Sequence, residues 1–209
     1  YLVQPEKTVD CKIGGYIEKL VSTESQTLKT YLTEETGYWK IVNTSESKRV
    51  QSYMSKKGVV LPDNFEDVEE LDSINKELFY KHIYKYVVEK LSIEKDLQLG
   101  IENTRRLGAE TLVESPQNAK PLDYADFYIA LLRKYNVPSR LVIGYVSKIS
   151  GYTSDGFYHY WVEFFDSSNK KWITADPFLE DYLEKDLYKN DFYDHITVLR
   201  RGKSTVSPN

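Results

Sequence analysis

Histidine and cysteine are the side chains best suited to proton transfer and nucleophilic attack near neutral pH, and this chain of 209 residues carries three of the first and one of the second, Cys11. His159 stands in the alternating run Tyr158 to Phe165. Asp176 ends a second such run, Lys170 to Asp176, and the turn-forming residues Asp166, Ser167, Ser168 and Asn169 join the two. This is a β-hairpin pattern. If Asp166 faces Asn169 across a two-residue loop, the cross-strand pairs run Glu163 with Trp172, Trp161 with Thr174, and His159 with Asp176. Directly opposed residues have Cβ atoms about 4.5–5.5 Å apart on one sheet face, close enough for a carboxylate to orient an imidazole that acts as a general base. A one-residue slip would place the two on opposite faces. The same pair also serves as an ordinary polar cross-strand contact, so by itself it leaves both readings open.

Other elements must hold this hairpin in place. The most apolar stretch of the chain runs from Pro121 to Arg133. Proline at the first helical position loses no hydrogen bond, and an acid two residues later suits the helix dipole, so a helix starts at Pro121. Its apolar residues extend nearly all the way round, which makes it central to a core; Asp123 and Asp126 read as a helix-start acid and a surface acid. Asp72-Ser73 caps an amphipathic helix over 74–91, and a further helix is expected over 100–113. Beyond Pro138 the period becomes two, with strands expected over 140–146, 159–165, 171–175 and 196–199. Helices followed by an antiparallel sheet make the fold class α+β.

Residues 1–70 form an N-terminal segment with β-prone pieces such as Tyr38 to Val42 and no legible chemistry, and residues 71–209 form the recognisable domain. The 28 basic and 32 acidic residues nearly cancel, and the basic ones are scattered, so no nucleic-acid partner is expected. Cys11 has no disulfide partner, and the three histidines show no zinc-type spacing, so neither metal nor cofactor is expected. No apolar run approaches the roughly 20 residues that span a bilayer. Beginning at Tyr1, the chain reads as a piece of a longer protein.

Three blocks in order resemble the transglutaminase-like superfamily of bacteria and archaea, a branch of the papain-like cysteine enzymes. The first is Arg106 to Ala109 leading to Asp123-Tyr124-Ala125 and on through Leu131 to Tyr145. The second is His159 to Glu163, and the third is Trp172 to Pro177. The resemblance covers about residues 107–209 and implies a papain-like core of helices packed on an antiparallel sheet. In that family the nucleophilic cysteine lies two residues before the Asp-aromatic-Ala element and twelve before the arginine that ends the buried helix, and both counts land on Pro121. The positions of the triad are thus Pro121, His159 and Asp176, a base and its orienting acid without a nucleophile.

A pyrrolidine ring cannot form an acyl-enzyme. Nor has it a backbone N–H to help hold an oxyanion. With Pro121 there, the expectation is a catalytically inactive domain that binds a protein, a peptide or a cell-wall component; the aromatic residues Tyr145, Tyr152, Tyr158 and Trp161 either line its groove, with the 147–157 loop at the rim, or serve as core and rim packing. The alternative is a hydrolase or acyltransferase that uses His159 and Asp176 with a replacement nucleophile. Asp194 and His195 are expected only to close the sheet edge. The resemblance also implies a parent protein outside the cytoplasm or tethered at its membrane.

Overall fold

The computed structural model describes residues 32–95, 97, 99, 106–147, 149 and 153–203. Among these residues, α-helices and strands follow in chain order: α1 (Thr44–Lys56), α2 (Ser73–Lys90), α3 (Ala109–Glu114), α4 (Pro121–Lys134), β1 (Ser139–Val146), β2 (Phe157–Asp166), β3 (Lys171–Ala175), α5 (Pro177–Leu183) and β4 (His195–Arg201). The strands form one antiparallel sheet in the order β3-β2-β1-β4, so the expected α+β class holds. No described helix is long and apolar enough to cross a membrane.

α4 forms the middle of the core because its sequence leaves it no polar face. Every residue from Asp123 to Arg133 is buried. Strand alternation puts Leu141 of β1 with Val162 and Phe164 of β2 on the sheet face that meets it, where the Phe164 ring lies edge-on to Tyr128 of α4 and tilted against Tyr80 of α2. α2 starts as its sequence dictates, with Asp72 accepting from the Asn75 N–H.

Asp126 is not a surface acid. It is fully buried, accepts from Trp39 Nε1 at 2.8 Å and binds the Arg106 guanidinium through two contacts of 2.6 Å. Burial pushes the carboxyl up from its ordinary value, against the pull of Arg106 and Trp39. A buried acid survives only when paired in this way. The Trp39 ring is flanked by two guanidinium groups, Arg106 and Arg133, at 5.8 and 4.5 Å.

Three other expectations change. Tyr38 to Val42 is no strand: Gly37–Trp39 is a 3-10 turn, and the N–H groups of Val42 and Asn43 that a strand would have paired are taken by the Glu110 carboxylate. α1, unseen in the sequence, buries Glu46, Val50 and Met54 at intervals of one turn. Residues 32–70 thereby share one core with the other described residues. The helix expected over 100–113 is only α3 among the described residues. Gly108 stands before it at φ +81°, and a Cβ there would come within 2.9 Å of the Tyr38 ring.

Candidate functional site

Asp176 does three things at once. Leaving β3 at φ −130°, ψ 83°, it becomes the N-cap of α5, its Oδ1 accepting from the Leu179 N–H at 3.0 Å. Pro177 follows at the first helical position, where a missing N–H is no loss. The Asp176 carbonyl accepts from the Tyr84 hydroxyl of α2 at 3.0 Å. Its second carboxylate oxygen, Oδ2, is thereby left to face the sheet, 2.7 Å from His159 Nε2.

The hairpin register differs from the expected one by two residues. Val162 pairs with Ala175 and Asp166 with Lys171, so the loop has four residues. Asp166 organises it, accepting from the N–H groups of Ser168 and Asn169 and from Asn169 Nδ2, while Lys170 takes the left-handed conformation at φ 52°. Asp176 therefore falls next to Trp161, and His159 is its diagonal neighbour. A slip of two keeps every side chain on its face, and diagonal neighbours remain within reach of long side chains.

Both partners are buried; the His159 and Asp176 side chains are 0% exposed. His159 is packed by the rings of Phe157, Trp161, Phe178 and His195, and its Nδ1 has no hydrogen-bond partner among the described residues. Phe178 also meets Tyr124 of the first turn of α4, which links the histidine to the helix headed by Pro121. That helix head is intact: the Lys120 N–H donates to Asp123 Oδ2 at 3.1 Å. Burial pushes the Asp123 carboxyl up to about 6, against the lowering effect of the Leu107 and Lys120 N–H groups. Asp123 and Lys120, with Glu94, Leu107, Thr111 and Ser115, line a polar cavity of about 350 Å³.

His195 enters the site, a position that its expected role at the sheet edge did not assign. β4 pairs with β1, Val146 opposite His195, which turns the imidazole to the same face as His159. Its Nε2 lies 3.1 Å from Asp176 Oδ2 and its Nδ1 2.8 Å from Asp194 Oδ1. Burial works against a charged imidazole here, but the two carboxylates outweigh it and raise the His195 pKa. Burial would raise the Asp176 carboxyl in turn, yet His159 and then His195 hold it well below the usual carboxylate range. The sequence signal that reveals His195 is parity, visible only once β4 is known to lie beside β1.

The residues expected to line a groove divide. Tyr158 and Tyr145 are exposed by 60% and 36%, edge to face at 5.9 Å, and Ile196, paired with Tyr145, continues the row at 59% exposure. Trp161 lies elsewhere. It is 1% exposed, its indole laid across Gly144, where a Cβ would come within 2.3 Å of the ring, and His195 covers it at 4.8 Å. It belongs to the packing beneath the site. Tyr152 lies outside the described residues.

The model of the transglutaminase-like superfamily matches residues 72–177. No curated protein matches the chain. Among solved structures, a candidate cysteine protease from Cytophaga hutchinsonii is similar at a TM-score of 0.51 and 16% identity, over 89% of this chain and 50% of that one. The periplasmic domain of TgpA from Pseudomonas aeruginosa, bound to ethylmercury, aligns at a TM-score of 0.44 and 15% identity, over 78% of this chain and 52% of that one. The chain thus spans about half the length of these structures. The matched segment runs from the cap of α2 through the head of α4 and the histidine strand to Pro177, half of the whole, and by it the chain belongs to the transglutaminase-like superfamily.

Proposed function

We propose that this chain is a catalytically inactive transglutaminase-like domain that binds a protein or peptide partner. The observation that carries this reading is Pro121 as the first residue of α4, the position the family gives to its nucleophilic cysteine. Acyl transfer of the family kind needs a thiolate there to attack the carbonyl and a donor to hold the oxyanion, and proline offers neither. The packing of His159 among four rings supports the same reading, since it gives the side chain a structural use that needs no reaction. The exposed row Tyr158, Tyr145 and Ile196 supports a contact surface, with amphipathic rings presented at low entropic cost. A cell-wall component is a second class of partner for the same row. An extracytoplasmic or membrane-tethered parent protein is part of the proposal.

The intact His159–Asp176 pair at 2.7 Å favours one other reading, a hydrolase or acyltransferase with a replacement nucleophile. Incubation with an amine donor and a glutamine-containing protein, or with casein, separates the two. The proposal expects no turnover above buffer, and turnover that disappears in His159→Ala would overturn it. For the binding surface, Tyr158→Ala and Tyr145→Ala are expected to weaken retention of peptide or peptidoglycan ligands found by array screening, while Pro121→Cys leaves it unchanged.

A further inference from the structure

We propose that His159 Nε2, Asp176 Oδ2 and His195 Nε2 form a binding site for one divalent metal ion of the zinc type. The three donor atoms come from β2, the β3–α5 junction and β4, and lie within 4.8 Å of one another. A zinc ion about 2.0–2.1 Å from each donor in tetrahedral geometry needs donors roughly 3.3 Å apart. Here Asp176 Oδ2 is 2.7 Å from one imidazole nitrogen and 3.1 Å from the other, so these two separations need to widen by less than an ångström to admit the ion. Two imidazoles and a carboxylate are a ligand set that zinc uses when its fourth position is left open.

The geometry of His195 makes the stronger case. Both of its ring nitrogens face carboxylate oxygens, Nδ1 that of Asp194 at 2.8 Å and Nε2 that of Asp176 at 3.1 Å. A neutral imidazole has one N–H and one lone pair, so it satisfies one carboxylate and turns a lone pair to the other. Among the arrangements that resolve this conflict are an imidazolium with two N–H donors and a neutral ring whose Nδ1–H donates to Asp194 while Nε2 binds a cation shared with Asp176. The second is the carboxylate–histidine–metal arrangement that fixes the tautomer of metal-bound histidines. Asp176 is prepared in the same sense, because its Oδ1 is held by the Leu179 N–H and only Oδ2 is left to coordinate. Over the four groups, an imidazolium leaves a formal charge of −1, whereas a dication with neutral rings brings it to zero.

Zinc titration of chelator-stripped protein, followed by calorimetry and by the ring ¹⁵N resonances of the histidines, tests the site. The expected result is one ion per chain, with ring signals of His159 and His195 moving and those of His82, the remaining histidine on α2, staying fixed. Asp194→Asn keeps all three ligands and is expected to weaken binding about 10–100-fold through the orienting contact. His195→Gln is expected to abolish saturable binding, whereas His82→Gln and Cys11→Ser leave it unchanged. Absence of saturable binding by the unsubstituted chain overturns the proposal. So does movement of the His82 ring alone, or binding that survives His195→Gln undiminished. The resonances of the unsubstituted chain decide the matter even if a site variant does not fold.

Discussion

Replacing Asp176 by alanine in metal-free protein should be among the most destabilising single changes in the domain. Three losses follow from its contacts. The Leu179 N–H loses its cap acceptor, which typically costs about 1 kcal/mol. His159 Nε2 and His195 Nε2, with side chains 0% and 3% exposed, lose their shared acceptor, and a buried donor left unpaired costs about 1–3 kcal/mol. These contacts share one carboxylate, so the costs do not simply add. The total should fall near the range for breaking a buried ion pair, about 3–5 kcal/mol. The Tyr84 contact is to the backbone carbonyl and survives. Asp176→Asn keeps an oxygen for the cap but turns an amide donor toward the histidines, and should cost roughly half as much. Urea unfolding followed by fluorescence and far-UV dichroism reads these values from the midpoint at constant m. A loss below about 1 kcal/mol for the alanine variant would refute the reasoning, because two buried imidazoles would then have found other acceptors.

Asp126→Ala should cost about 3–5 kcal/mol in the same assay, since it strands the Arg106 guanidinium and the Trp39 N–H; a two-step transition with residues 37–39 melting first would show that the N-terminal portion is held by this contact alone. Asp123 contributes a pH dependence of definite sign. Its folded pKa, about 6, lies above the unfolded value of about 3.9, so its contribution is fully present below pH ~3.9 and is lost as pH rises through about 6, and Asp123→Asn should flatten that part of the stability curve. Pro121→Cys should lower stability by about 0.4–1 kcal/mol without altering the fold, because proline at this position acts mainly by restricting the unfolded chain. A larger loss would mean that the ring itself is a packing element.

The shared face of His159 and Asp176 was legible in the sequence and the register was not. Alternation fixed His159 and Asp176 on one face, and the actual pairing differs from the expected one by an even number, so the face survived. A two-residue hairpin loop generally needs positive φ at one or both centres, which Ser167 and Ser168 are poorly suited to supply. The Asp166 side chain, with acceptors for three nearby donors, favours the longer loop seen here. α4 was legible because its apolar run is long and its start is marked by Pro121. α1 was hidden by its polar composition, with only three buried positions in 13 residues. His195 was out of reach because the path from Glu184 to β4 turns through positive φ at Glu184, Lys189 and Phe192, and no periodicity foretells where such a path delivers a side chain.

Under the proposed reading, Pro121 replaces the family's nucleophile at a position where the fold accepts proline without strain, and this is why it is informative. At the first position of a helix the backbone N–H has no intrahelical partner, so replacing a residue that carries one by proline removes nothing that α4 needs. The Lys120 N–H still donates to Asp123, and α4 still runs 14 residues through the core. Chemistry and folding therefore place opposite demands on this position. An acyl-transfer site needs a thiol and an N–H there, and a helix start is served at least as well by proline. Meanwhile the contacts of His159 and Asp176 have uses that need no reaction: the aspartate caps α5, and the histidine fills a cage of four rings. A domain released from catalysis can lose its nucleophile with no folding penalty, while losing the acid would cost it several kcal/mol. On the proposed inactive reading, that asymmetry would account for a chain that lacks the thiol and retains the pair.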